Sequence, residues 1–484
     1  MRLTNSMTTQ RLLLNMNRNS TRLDALFMQI TSGKVIQKPS DNPIVASRAL
    51  RFRTNVTEIE QFSRNVDQAI SWMEVSEQNL QNMTNIFTTQ RSELLVQGAS
   101  STYTFQNRQT ITRVVELLFQ QTQSELNGTF AGRYLFSGFR TDQPPIITSN
   151  NLNSAVNPVD FTVAKTIHRN DFEPAGALYW RDPSNNLVKM ASQNWLDRPD
   201  RTEADWEDDV EVLDVSIMRL PYNRTNERWM SVPAVAGGAV TIVERSLAGP
   251  ANPYLEADGT HNGTGTDVVV FIPETGELVI PATLQHLFEG PGIDIEYNIH
   301  GVYKGELNPV VFFETVDNIS GITYTQTNQE IQFEVGTNVR LTINTQARDA
   351  YPWQMFSDMQ SLIHWVNGVQ TSPSPPATPE QVAQEQTFFS EMLYTKFTNT
   401  MARMDAHMQI TTTEYAALGS RMERMEMIEN RLMENRDTFR ALRDQNENID
   451  YLEILMQLNA AEAVFQAAMQ VGARISQLSL VNFI

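Results

Sequence analysis

The six histidines, at positions 168, 261, 286, 300, 364 and 407, are the first residues to test for chemistry. A zinc site needs ligands spaced so that they converge, as in His-Glu-x-x-His on one helix face, and these six have no such spacing. The chain has no cysteine, which excludes thiolate metal sites and disulfides. Gly263-Thr264-Gly265 and Gly290-Pro291-Gly292 are glycine-rich. Neither continues into Gly-x-Gly-x-x-Gly or a phosphate loop with its lysine, so both read as turns. The acidic run from Glu203 to Asp214, with Asp205, Glu207, Asp208, Asp209 and Glu211, is a candidate for cation binding. It lacks the alternating oxygen ligands and turn glycine of a calcium loop, so a solvated acidic face is the better reading. Paired carboxylates are plentiful, but none has a setting that would raise its pKa for acid–base work. The sequence therefore offers no catalytic, cofactor-binding or metal-ligating residue and no cofactor, and it reads as a non-enzyme.

What remains is a chain built for packing. Its 484 residues carry a net charge of −19, unevenly placed: +4 over residues 1–145, −17 over 146–379 and −6 over 380–484. The acidic middle argues against nucleic-acid binding. No stretch reaches the roughly 20 apolar residues of a membrane-spanning helix. Arg2, Arg11, Arg18 and Arg22 interrupt the opening segment, which has no apolar core and no small-residue cleavage site, so a cleaved signal peptide is not expected.

Proline placement divides the chain. Of 21 prolines only Pro39 and Pro43 precede position 144, and none follows Pro379. Because proline breaks a helix interior, the two ends are free to form long helices and the middle is not. After Pro43 a stripe runs Val45, Ala49, Phe52, Val56, Ile59, Phe62, Val66, Ile70, Met73, Leu80, Met83, Phe87 and Leu94, at steps of three, four or seven. It predicts a helix roughly 75 Å long at 1.5 Å per residue, closed by Gly98 as a C-cap. A second helix is predicted with Ile111, Val114, Val115, Leu118 and Leu126 on its face. At the other end, Phe389, Leu393, Phe397, Met401, Met404 and Met408 form one stripe. Tyr415, Leu418, Met422, Met425, Ile428, Leu432, Phe439 and Leu442 form another. The middle has strand-like runs at Val268–Ile272, Val310–Phe313 and Gln332–Val335, separated by turns at Asp258-Gly259, Asn262-Gly263 and Gly290–Gly292. The expected fold class is mainly α with a β insert: a long antiparallel helical rod from both chain ends, with a β-rich outer domain in the middle. The expected divisions are a terminal assembly helix and turn (1–43), rod helices (44–145), a β-rich insert divisible into two subdomains (146–379), returning rod helices (380–447) and a C-terminal assembly helix (448–484).

Both extreme ends are apolar over much of the helix circumference. From Ile454 to Ile484 only Glu462 and Arg474 are charged. Leu455, Leu458, Phe465, Ile475 and Leu478 are candidate assembly residues there, and Leu12 to Leu14 and Leu23 to Ile30 have the same character at the start. A helix apolar on most sides must be buried on most sides. Either the termini pack together and against neighbouring subunits of a polymer, or they fill an ordinary intramolecular bundle.

Three segments carry a resemblance to a known family. Thr31–Pro43 resembles the turn after the first helix of flagellin-family proteins. Gly33 there suits a helix C-cap, Ser40 or Asp41 an N-cap, and Pro43 the first turn of the next helix, with Pro39 between them. Gly132–Thr141, containing Arg133, Phe136 and Gly138, resembles the strand by which the hook-associated members of that family leave the helical core. Ala468–Ile484 also resembles the hook-associated members. The resemblance covers about 145 residues at one end and about 100 at the other, and it leaves out 146–379. It implies a structural flagellar subunit exported unfolded, with an uncleaved N-terminal signal, to the hook–filament junction outside the cell. The implied partners are further copies in a ring, a neighbouring hook-associated protein, flagellin, and a dedicated export chaperone at the C-terminal region. A filament flagellin is the alternative, and a subunit whose insert acts as an adhesin or enzyme is a third reading.

Overall fold

The computed structural model describes the chain except residues 1–4, 101–103, 151–158, 175–178, 182–186, 190–214, 236–239, 247–253, 255–256, 258–265, 328, 369–378 and 482–484. The acidic run 203–214 and the Asp258-Gly259 and Asn262-Gly263 turns lie outside the described residues. The chain is mainly helical, with long helices from both ends and β-strands between them. The long helices are α1 (Asn5–Ser32), α2 (Pro43–Thr89), α3 (Phe105–Leu126), α4 (Trp353–Gly368), α5 (Pro379–Glu447) and α6 (Tyr451–Val481). Two compact units result: one of residues 1–68, 334–340 and 424–484, the other of 69–333 and 341–423.

In the larger unit, α2 buries Met73, Ser76, Leu80, Met83, Phe87 and Gln90, then continues through a π-helical segment, Gln90–Leu95, to Gly98. A π turn adds one residue to the helical repeat, so the next buried position is Leu95 and not the expected Leu94, which is only half-buried. Gly98 is not the expected left-handed cap. It makes room: a Cβ there would stand 2.3 Å from the ring of Phe397 on α5. The helix end is capped instead by Arg108, fully buried, whose Nε donates to Gly98 O at 2.8 Å and Nη2 to Ser100 O at 2.9 Å. The inner face of α3 is Arg108, Ile111, Thr112, Val115, Phe119, Thr122 and Leu126, while the expected Val114 is exposed.

Among its described residues the insert holds two larger sheets, two strand pairs (Tyr179–Arg181 with Leu187–Lys189, and Gln332–Gly336 with Val339–Thr342) and one long helix. One sheet orders Thr323–Tyr324, Glu314–Asp317, Phe161–Ile167, Ile293–His300 and Trp229–Met230, antiparallel throughout, with Ala234–Val235 also on Ile293–His300. The other orders Ile242–Glu244, Val269–Ile272, Glu277–Pro281, Val215–Arg219 and Glu173–Pro174, parallel only at its first pair. Val215, Ile217, Val270, Ile272 and Val279 fill a core of this second sheet. Val310–Phe313, read as a strand, is mostly a helical turn, Pro309–Phe312: Asn308 accepts from the Val310 amide at 3.2 Å and Pro309 presets the first turn. The 16-residue α4 is a second departure, since the middle was expected to hold no helix of length. It begins directly after Pro352 and meets no proline before Pro373.

A buried ion cluster ties α4 to α5. Asp358 Oδ2 accepts from Arg403 Nε at 2.7 Å and pairs with His407 Nε2 at 2.8 Å. Burial pushes the Asp358 carboxyl up, but His407 and Arg403 outweigh it and hold the group below its ordinary value. A depressed carboxylate stabilises above its unfolded pKa, and that contribution is lost as pH falls through the folded value. Asp358→Ala also strands Arg403 and His407, and a broken buried pair costs about 3–5 kcal/mol. The expected outcome is a loss of that size in urea unfolding at pH 7, shrinking as the pH is lowered below 3.8. An unfolding midpoint equal to wild type at pH 7 would contradict the cluster's role.

Candidate assembly site

In the smaller unit, α1 and α6 form an antiparallel hairpin: Gly33 lies against Tyr451 at one end, and Gly472 against Leu12 and Met16 at the other. Their facing residues recur at helical spacing. Leu12, Met16, Leu23, Leu26 and Ile30 lie on α1, and Ile454, Leu458, Ala461, Phe465, Ala468 and Gly472 on α6. Leu26 is buried, and Leu458 and Phe465 are half-buried.

The base of this hairpin is a polar joint. Glu447 closes α5, with no basic residue in that helix's last turn, and a carboxylate there opposes the helix dipole. It is held by two cations from the opposite end of the chain. Arg53 grips it bidentately, Nε to Oε1 and Nη2 to Oε2, both at 2.7 Å, and Lys34 Nζ donates to Oε2 at 3.2 Å. Lys34 also reaches Asn448 Oδ1 at 2.7 Å. The two chain reversals are stitched by backbone: Val35 N donates to Glu447 O at 2.8 Å and Ile449 N to Gly33 O at 3.2 Å. The Glu447 side chain is only 4% exposed, and hydrogen bonding to Arg53 leads the effects that hold its carboxyl below the ordinary range.

The turn 33–42 follows from its residues. Gly33, at φ +68°, ends α1 with its amide on Gln29 O at 2.8 Å. A side chain there would be strained by that φ, and its Cβ would sit 3.0 Å from the Tyr451 hydroxyl. Asp41 does not cap α2. Its Oδ2 accepts from the amides of Gln37 at 3.0 Å and Lys38 at 2.8 Å, closing the turn, and the Lys38 amide leads in holding the carboxyl low. The N-cap is Asn42, whose Oδ1 accepts from Ile44 at 3.1 Å and Val45 at 3.3 Å, with Pro43 in the first helical position. Asp450 caps α6 in the same way, on Leu452 N at 3.0 Å. Pro39 is exposed in the turn. Farther along the rod, Arg440 pairs with Glu60 at 2.6 Å and Phe439 packs on Phe52, with ring centroids 6.5 Å apart.

The outer faces of the hairpin are apolar and uncovered. On α1 these are Leu13, Leu14, Phe27 and Met28, and on α6 Leu452, Leu455, Met456, Val464, Met469 and Val471, with Leu455 half exposed at 50% and Leu452 at 77%. A groove opens along α1 beside Phe465, lined also by Leu13, Leu14 and Met16. The side chains of Ile475 and Leu478 lie outside the described residues.

Gly132, Arg133, Phe136 and Gly138 lie together in the larger unit. They form a compact turn and not an extended strand. Only Arg133–Tyr134 pairs, with Thr129–Phe130, across Ala131 (φ +48°) and Gly132 (φ +77°). Phe136 is buried edge-on against Tyr351 at 5.6 Å, and its carbonyl accepts from Ala347 N at 2.8 Å. Gly138, at φ +61°, leaves no room for a Cβ beside Gln329.

Among the described residues, no group of three histidine or acidic side chains is placed to hold a metal, and no helix is long and apolar enough to cross a membrane. Residues 3–141 match the family described as the bacterial flagellin N-terminal helical region. A flagellar hook-associated protein of Vibrio parahaemolyticus, titled putative, resembles this chain at 11% identity and TM-score 0.39, over 84% of this chain and 100% of that one. The flagellar junction protein FlgL of Legionella pneumophila does so at 13% identity and TM-score 0.30, over 78% and 98%. Xanthomonas campestris FlgL does so at 12% identity and TM-score 0.30, over 81% and 98%. No curated protein matches.

Glu447 was not among the residues the sequence singled out, because its partners Lys34 and Arg53 lie 413 and 394 positions away. Replacing it with Gln removes three charge-assisted contacts but leaves Arg53 and Lys34 in water, so the cost is about 1–2 kcal/mol. Cleavage of the 34–42 turn by a soluble protease is expected to quicken about fivefold to thirtyfold at pH 7. Because the folded pKa is depressed, the difference from wild type should be full above the ordinary glutamate value and fade as pH falls through the folded one. Equal cleavage at pH 7 would contradict the joint.

Proposed function

We propose that this chain is a structural subunit of the bacterial flagellum that joins hook to filament as a ring-forming junction protein. The observation that carries the reading is the terminal hairpin: one face of each helix is covered by the other, and the opposite faces expose large apolar residues in rows. Such rows on a soluble chain mark an interaction surface. The match of residues 3–141 to the flagellin N-terminal helical region supports a flagellar polymer as the setting. The Gly132–Thr141 turn and the Ala468–Ile484 ending support the junction position over the filament.

In this reading the helical ends assemble, and the acidic β-rich insert is dispensable for joining. The subunit works by packing and not by catalysis. It is exported unfolded through the flagellar route and functions outside the cell, at the hook–filament boundary. Its ring neighbours are further copies, with another hook-associated protein on one side and flagellin on the other. An export chaperone would cover the apolar C-terminal helix before assembly, since that surface is otherwise exposed in a free chain.

Leu455→Asp tests this without touching the hairpin's inner face. The purified variant should melt like wild type, because Leu455 is half exposed in the single chain. In an assembled interface the carboxylate would be buried without a partner, at a cost of several kcal/mol per subunit. A strain lacking the protein should build hooks and shed filament protein into the medium, rescued by wild type and by a chain with 150–370 replaced by a Gly/Ser linker, but not by Leu455→Asp. Immunogold label should form a band at the hook–filament boundary. Label along the whole filament would assign a filament flagellin instead. Filaments attached in the deletion strain, or rescue by Leu455→Asp, would overturn the junction reading.

A further inference from the structure

The sheet built on Phe161–Ile167 and Ile293–His300 turns one face to the core and the other to solvent. Val163, Ile295, Tyr297, Ile299, Thr315 and Met230 point inward and are buried. Side chains alternate along a strand, so the residues between them form the outer face. Trp229 stands at one end of that face, opposite His300 on the neighbouring strand. The two ring centroids are 4.7 Å apart and the planes tilted by 46°. The other side of the indole is open, and Trp229 is 48% exposed. A single exposed apolar side chain is ordinary. What lies beside this one is not.

A chain of polar side chains runs from the ring pair across the sheet. Asp160 Oδ2 stands 3.5 Å from His300 Nε2, and Asp160 Oδ1 accepts from Asn318 Nδ2 at 2.8 Å. The Thr162 hydroxyl then lies 3.0 Å from Asn318 Oδ1 and 2.7 Å from Asn298 Oδ1. Each group holds its neighbour in place, so donors and acceptors are fixed before any ligand arrives. Among the described residues, neither the Trp229 indole N–H nor the Asn298 side-chain amide donates a hydrogen bond. Farther along the same face the charge is only negative. Glu296 and Glu314 flank Ala164, and Asp294 stands opposite Thr166. No lysine or arginine occupies a paired position on this outer face.

We infer that this patch binds a neutral glycan, with the flat C–H face of one hexopyranose ring on the open side of the Trp229 indole and sugar hydroxyls shared among Asp160, Asn318 and Asn298. The chemistry of the patch selects this class. An indole offers a large, rigid apolar surface with one polar handle, which matches a ring that is apolar on its faces and polar at its rim. A neutral polyol both donates and accepts, and the patch supplies both: a carboxylate to accept, amides to do either. An anionic polymer would meet Asp160 and then Glu296, Glu314 and Asp294, and be repelled. A cationic partner would be drawn to those carboxylates. It only donates, however, so it has no use for the amide N–H groups, and a single aromatic ring makes no cage for an ammonium. The row from Trp229 to Asn318 crosses four strands, about 15 Å at roughly 4.8 Å per step, so a chain of rings lies along it better than a single sugar. The assignment is independent of the flagellar reading, because it uses neither terminal helix.

The test is titration calorimetry on the full chain with cellohexaose as the neutral glycan, oligogalacturonate as the anionic one, and tetralysine as the cation. Cellohexaose should bind with a dissociation constant in the micromolar to millimolar range. Oligogalacturonate and tetralysine should each bind at least about tenfold more weakly. Trp229→Ala should weaken cellohexaose by about tenfold or more. It should melt like wild type, because the ring is half exposed. Should that variant fail to fold, Trp229→Phe is read in its place. It keeps a ring but loses the N–H and part of the stacking surface, and should weaken cellohexaose by about threefold or more. No cellohexaose binding at about ten millimolar, or wild-type affinity in the variant that folds, would overturn the assignment. So would equal or tighter binding of either charged ligand, and tighter binding of tetralysine would give the face to a basic partner instead.

Discussion

A two-helix hairpin has only one inner face, and that geometry governs the terminal region of this protein. α1 and α6 are apolar around much of their circumference, yet each can turn only one stripe toward the other. Leu26, Leu458 and Phe465 find cover there, while Leu14, Phe27, Leu455 and Met456 do not. Apolar surface left in water gives up roughly 25 cal/mol per Å² that burial would return. The chain alone cannot recover that stabilisation. Further helices can, and in the proposed assembly identical subunits would supply them at a fixed spacing.

The joint at Glu447 makes this arrangement reproducible. Exposed ion pairs contribute little to stability, and Arg53 and Lys34 are themselves largely in water. The carboxylate between them is not, and it receives three hydrogen bonds while the backbone of 33–35 and 447–449 pairs around it. Its role is geometric. It fixes where α1 stops, where α6 starts and therefore which residues oppose each other along the hairpin. A slip of one residue on either helix would rotate the exposed rows by about 100°.

Much of this was legible in the sequence, because the signals are local and periodic. The proline distribution separated helical ends from a strand-rich middle, and the stripes from Ala49 to Phe87 and from Leu393 to Leu432 mark faces that the fold buries. The failures have specific causes. Leu94 and Leu95 exchange roles because a π turn inserts one residue, and no repeat in the sequence announces it. Val310–Phe313 reads as a strand by composition, but Asn308-Pro309 immediately before it is a helix-start signal that should have outweighed the apolar run. The helix at 353–368 sits between prolines in a segment judged by its average. Val114 and Leu442 were placed on stripes by spacing alone and point outward. Glu447 with Arg53, and Arg108 on the carbonyl of Gly98, were illegible for a different reason: their partners are chosen by the tertiary fold.

The central claim is that the outer faces of α1 and α6 are assembly surfaces completed by neighbouring subunits. Hydrogen–deuterium exchange of residues 12–30 and 452–471, followed by mass spectrometry, tests it directly in the free chain and in isolated hook–filament junctions. Exchange in the free chain should be fast, because one covered face gives a marginal hairpin. In the junction it should slow by orders of magnitude over both segments together, with the 161–299 strands unchanged. Equal protection in both states would mean that the hairpin is complete in the single chain and that its apolar faces do not assemble.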